Sequence, residues 1–122
     1  MRSLIYALLL AVLVSTPAWA GKTDVLGVEV QQSGNDAFSF SVTVRHADEG
    51  WDHYADRWEV IAPDGKVLGT RVLAHPHVDE QPFTRSLRGV VISAEIRQVT
   101  VRARDSKHGW GGKTMTVSLP GR

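Results

Sequence analysis

Two of the five histidines in this chain stand either side of a proline, in the stretch HPHVDE at residues 75–80. Proline drives the residue before it toward extended backbone, and residues two apart in an extended segment project to the same side, with α-carbons about 6.6 Å apart. His75 and His77 can therefore aim two imidazoles at one ion. A zinc site needs three or four ligands at roughly 2.0 to 2.3 Å, so the pair requires company. His53 and His108 are the natural additions, with Asp79, Glu80 or Asp52 as carboxylate options. Imidazole-rich donor sets suit zinc and copper(II), whereas calcium prefers clustered oxygens. A soft copper(I) site is disfavoured, because beyond Met1 the sequence holds only Met115, which its strand alternation turns inward. The same five histidines also fit a plainer role, hydrogen-bonding loop backbones over the end of a core.

A second chemistry is available near these histidines. Trp51, Tyr54 and Trp110 are large amphipathic rings in polar segments and can form a stacking platform for a glycan or a peptide. Catalytic patterns are lacking. GGKT at 111–114 resembles the end of a phosphate-binding loop, but the earlier glycine would fall at Lys107, and a strand pattern follows where a helix is needed. DSKH at 105–108 offers acid, hydroxyl and imidazole without evidence of triad geometry, and no G-x-S-x-G elbow occurs. The reading is a binding or accessory module and not an enzyme.

The elements that must position these residues are strands. AFSFSVTVR at 37–45 alternates apolar and polar residues with a period of two, VTVRAR and TMTVSL do the same, and DVLGVEV, RWEVIA, KVLGTRVLA and PFTRSL are β-like. In KVLGTRVLA, Gly69 marks a bulge; in PFTRSL, Pro82 marks an edge. SGND and PDGK supply tight turns, and VVISAEI at 90–96 reads as an apolar crossover with room for one helical turn. Trp58 is expected in the core. Arg85 interrupts an apolar row and asks for a partner, with Asp105 and Asp56 as candidates.

Seven short strands in about 100 residues predict an all-β, two-sheet antiparallel sandwich. If successive connections alternate between its ends, HADEGWDHYAD, HPHVDEQ and DSKHGWGG share one pole, and that pole receives His46, His53, His75, His77 and His108. Loops held on a rigid scaffold are where binding residues gather.

Composition and the amino terminus add an address. Arg2, an apolar run and small residues at Ala18 and Ala20 form a secretory signal over residues 1–20, with cleavage expected after Ala20. The apolar run is shorter than the roughly 20 residues of a membrane span, so no membrane association is expected after cleavage. Residues 21–122 then form one domain, exported to a periplasm or secreted. The sequence contains no cysteine, so this exported fold relies on packing without disulfides. Lys and Arg number 14 against 13 Asp and Glu, and Arg2 lies in the leader, so the mature domain is formally neutral. Nucleic-acid binding, which needs clustered positive charge, is not expected.

Strand order, length and Trp58 on the third strand resemble the immunoglobulin and fibronectin type III sandwich, and VTVRARDSKHGWGGKTMTVSLP resembles the last hairpin of bacterial immunoglobulin-like modules. The antibody cysteine pair and a tyrosine corner are absent. The chain also resembles small exported bacterial proteins of uncharacterised function. The resemblance implies a seven-stranded immunoglobulin-like β-sandwich and assigns no site residues. Two functions remain open: binding of zinc or copper(II) by His75, His77, His53 and His108, or recognition of a protein or glycan by Trp51, Tyr54 and Trp110 with the histidines structural.

Overall fold

The inward rows of apolar side chains decide the architecture. Phe38, Phe40, Val42 and Val44 are all buried on β2 (Ala37–Arg45), and Val99, Val101 and Ala103 are buried on β6 (Gln98–Asp105). These two rows, with Trp58 and Val60 of β3 (Ala55–Ile61), belong to one hydrophobic cluster. The structure, a computed structural model, describes residues 22–122; the leader read at residues 1–20 lies outside the described residues.

The remaining strands are β1 (Asp24–Gln32), β4 (Val67–Val72), β5 (Phe83–Val91) and β7 (Met115–Ser118). All pairings are antiparallel, in a three-stranded sheet ordered β1-β2-β5 and a four-stranded sheet ordered β4-β3-β6-β7. The described residues contain no helix. Each strand expected from alternation is present, and β5 runs on through Val90 and Val91, which the sequence reading assigned to the following crossover.

Two irregularities bring the sheets together at their open side. Val60 pairs with Gly69 and Ile61 with Val67, so Leu68 is the extra residue of a bulge. A β-carbon at Gly69 would lie 2.9 Å from Leu87 Cδ2 and 3.3 Å from Val90 Cγ2. Glycine thus lets β4 approach β5 of the facing sheet closely, and a side chain there would make the Leu87 and Val90 side chains shift. Nearby, Arg71 of β4 donates to the Ser86 carbonyl of β5 at 2.7 Å.

Connections alternate between the two ends. The β1–β2, β3–β4 and β5–β6 turns lie at one end, and the crossovers after β2 and β4 and the β6–β7 hairpin meet at the other. The meeting is direct: the His77 N–H of the β4–β5 connection donates to Asp48 in the β2–β3 connection at 2.7 Å, and His108 of the hairpin touches His53.

Candidate metal centre

At this pole the inward rows of β2 and β6 continue past their last apolar residue, and the next residues of the same parity are polar. On β2 the buried series Phe38, Phe40, Val42, Val44 is followed by buried His46 and buried Asp48. On β6, Val99, Val101 and Ala103 are followed by fully buried Asp105. The strands thus aim an imidazole and a carboxylate into the end of the core. The β2–β3 connection folds back over them, with the Glu49 N–H donating to the His53 carbonyl at 2.7 Å, and places His53 beside both.

His46 Nε2, His53 Nε2 and Asp105 Oδ2 form a triangle with edges of 3.1, 3.1 and 3.3 Å, and all three residues are buried. Two donors on a tetrahedral ion with bonds of about 2.0 Å stand about 3.3 Å apart. Those on an octahedral ion with slightly longer bonds stand about 3.1 Å apart. The triangle matches a face of either figure. His108 Nδ1 adjoins one edge of it, 3.1 Å from His53 Nε2 and 3.2 Å from Asp105 Oδ2.

Proton placement shows what this triangle lacks. His46 Nδ1 lies 2.7 Å from Asp48 Oδ1, and His53 Nδ1 lies 2.7 Å from Glu49 Oε1. Burial pushes Asp48 up, but hydrogen bonds from His46 and from the His77 and Ala55 N–H groups outweigh it and hold the carboxyl below its ordinary value. The bond from His53 lowers Glu49 as well. Ionised carboxylates only accept, so both imidazoles carry their protons on Nδ1. With the rings neutral, each Nε2 turns a lone pair toward its neighbour and toward Asp105, so this spacing calls for an extra proton, as when His53 Nε2 donates to Asp105, or for a cation. A carboxylate behind each ligating histidine is the arrangement that orients imidazole for a metal.

Asp105 is itself anchored. Burial raises its pKa, but the His108 and Lys107 N–H groups bonding to Oδ1, followed by the His108 and His53 rings, draw it down to about 2. His53 is lowered by burial but raised more by its bonds to Glu49 and Asp105, so its pKa ends above the ordinary value. Gln81 clamps the remaining side: its Oε1 accepts the His46 N–H at 3.0 Å, and its Nε2 donates to the His77 carbonyl at 2.9 Å.

The residues singled out in the sequence fall into three groups. His53 and His108 come together. His75 and His77 meet each other, with ring centroids 4.6 Å apart, beside the triangle and outside it. The His77 ring stacks on Phe83 at 3.8 Å, and Arg85 Nη2 lies 3.0 Å from its Nε2. Burial, the Arg85 charge and His75 together lower the His77 pKa, so the ring is neutral and accepts from the guanidinium. Arg85 also reaches Glu80 at 3.4 Å, so its partners come from the neighbouring loop; Asp56 pairs with Arg104 and Asp105 belongs to the triangle. Among the aromatics, Trp51 is 67% exposed and meets Tyr54 edge-on at 5.6 Å, whereas Trp110 lies under the Arg102 guanidinium at 4.1 Å.

The sequence reading did not include His46 and Asp105 among its candidate metal residues. The signal for both was present: each extends an inward alternation by one step.

With this geometry in view, comparison with known proteins finds a relative. A protein named "Putative lipoprotein", from Halomicrobium mukohataei, is 42% identical over 96 residues, which cover 79% of this chain and 47% of the relative. The chain spans about half the length of this curated relative. No family model and no solved structure matches the chain. No helix among the described residues is long and apolar enough to cross a membrane.

Proposed function

We propose that this protein is an exported accessory module that binds one divalent transition-metal ion at the histidine-rich pole of its sandwich. Zinc is the first candidate and copper(II) the second. The single observation that supports this reading most is the convergence of three electron-pair donors, His46 Nε2, His53 Nε2 and Asp105 Oδ2, at 3.1–3.3 Å. Carboxylates behind both imidazoles fix the tautomers that leave those pairs unprotonated. In this reading the HPH stretch contributes through its backbone and Gln81, steadying Asp48 and His46, while His75 and His77 remain outside the coordination sphere. The module has no chemistry of its own and supplies a metal to, or holds one for, a larger system.

Export to a periplasm or secretion is supported by the leader pattern at residues 1–20 and by the name of the relative, "Putative lipoprotein". The immunoglobulin-like or fibronectin-like assignment is supported by the strand order β1-β2-β5 facing β4-β3-β6-β7.

The test is calorimetric titration of chelator-stripped, untagged protein with zinc and copper(II), together with thermal unfolding. One equivalent bound at micromolar affinity or tighter is expected. At about 100 times the dissociation constant, free metal adds about 2.7 kcal/mol of stability. Absence of saturable binding, or undiminished binding by Asp105→Ala, removes the reading.

Recognition of a protein or glycan is the second reading, favoured by the exposure of Trp51 against the edge of Tyr54. Trp110 stacks with Arg102, so the platform in this reading is Trp51 with Tyr54. Trp51→Ala should then abolish retention on a partner array while leaving metal affinity intact.

A further inference from the structure

The three clustered donors and the imidazole beside them, His108, are not equivalent. His46 and Asp105 have no exposed side-chain surface and His53 has 7%, but His108 has 39%. His46 and His53 point Nε2 into the triangle with a carboxylate behind the ring, whereas His108 turns Nδ1 inward. Among the described residues, its ring bonds only to His53 and Asp105. Its backbone is held, because its N–H donates to Asp105 Oδ1 and residue 109 bridges back to residue 105. Only the ring is at liberty to leave. Gly109, at φ 74°, follows it and adds no side chain on that side.

Resting on the metal reading above, we propose that His108 is the exchangeable ligand of the site. The ion enters and leaves past its ring, and His46, His53 and Asp105 keep the ion when His108 swings out. Ions leave protein sites by stepwise replacement of ligands, and the first to go is the one with solvent behind it and no carboxylate behind its ring to fix the orientation. The buried triangle retains the ion through the exchange, and the position that His108 vacates is open to water or to a donor from another molecule. Such a site loads and unloads without unfolding, as suits a metal carrier better than a structural clip.

The experiment measures zinc release to excess chromophoric chelator by stopped flow, and equilibrium affinity by competition, for wild type, His108→Ala and Asp105→Ala. Circular dichroism of the metal-free forms confirms folding; His108 is exposed enough for its variant to fold. The expected result is that His108→Ala still binds one zinc but releases it roughly 10-fold faster or more, a change on the scale by which neighbours of metal ligands act. Millimolar imidazole should slow that release in the variant by filling the vacated position, and leave wild type unchanged. If wild type binds zinc but His108→Ala binds none, or releases it at the wild-type rate, the exchange role is overturned and the metal site stands. If wild type binds no zinc, the metal reading fails and this inference falls with it.

Discussion

The two ends of the sandwich are closed by opposite means. At the end carrying the β1–β2, β3–β4 and β5–β6 turns, oxygens converge and the chain supplies the cation. The Arg122 guanidinium donates to the carbonyls of Ile92, Ser93 and Ile96 and to Asp36, with its charge 4.9 Å from the centre of the Phe38 ring. At the other end, two imidazole nitrogens and a carboxylate oxygen converge, with a third imidazole beside them. Both ends gather electron-rich atoms over a hydrophobic core, where leaving them unpartnered is costly. One end is complete within the chain, and in the proposed reading the other is completed by an ion from outside.

The largest expected effect breaks this contrast at the histidine pole. Asp105→Ala or His46→Ala should weaken zinc binding by more than the roughly 100-fold upper scale for outer-shell changes, read by competition titration. Arg122→Ala should do the reverse. It removes the partner of the part-buried Ile92 and Ile96 carbonyls and should cost about 1–2 kcal/mol in denaturant unfolding, with zinc affinity unchanged; a change in affinity would mean that the poles communicate. Asp48→Asn, which leaves the His46 Nδ1–H with a weaker acceptor, should reduce zinc affinity by about 10- to 100-fold. Glu49→Gln should cost less, because Glu49 is 68% exposed and water can replace it. His75→Ala should leave zinc affinity unchanged within error; a substantial loss would return the HPH pair to the coordination sphere.

Acidity sharpens the same comparison. The His53 pKa is raised in the fold, so its contribution to the metal-free protein is complete below the ordinary value of 6.5. That contribution is lost as pH rises through the higher folded value. Metal binding runs the other way, since imidazoles must shed protons to ligate. Thermal unfolding between about pH 5.5 and 8.5 should therefore show a zinc-dependent gain in stability that grows with pH. Asp105, at about 2, stays ionised throughout that range. Its own contribution is present above the ordinary value of 3.8 and fades only as pH falls toward 2. Acid release of metal is accordingly set by the imidazoles.

Much of the scaffold was legible because its signals are local. The period-two rows from Phe38 to Val44 and from Val99 to Ala103 gave strand direction and inner face, PDGK gave a turn, and strand alternation brought the histidine-bearing connections to one pole. The buried His46–His53–Asp105 triangle was less legible for a physical reason. HPH draws the eye as a chelate, yet the Arg85 guanidinium reaches His77 from β5 and Phe83 stacks on its ring, contacts separated in sequence by six to eight residues and set by how the loop folds onto β5. His46 and Asp105 looked like loop residues because the apolar pattern ended before them, although their parity was inward.

The amino-acid order by itself determined an all-β chain without cysteine, the inward face of each strand and the pole to which the histidines go, because these follow from side-chain alternation and turn chemistry within a few residues. Tertiary structure alone decided which imidazoles face the same carboxylate, which nitrogen of each is free and which ring stands in solvent. Those depend on contacts such as His46 with Asp105, 59 residues apart, whose distance is set by the packing of two sheets.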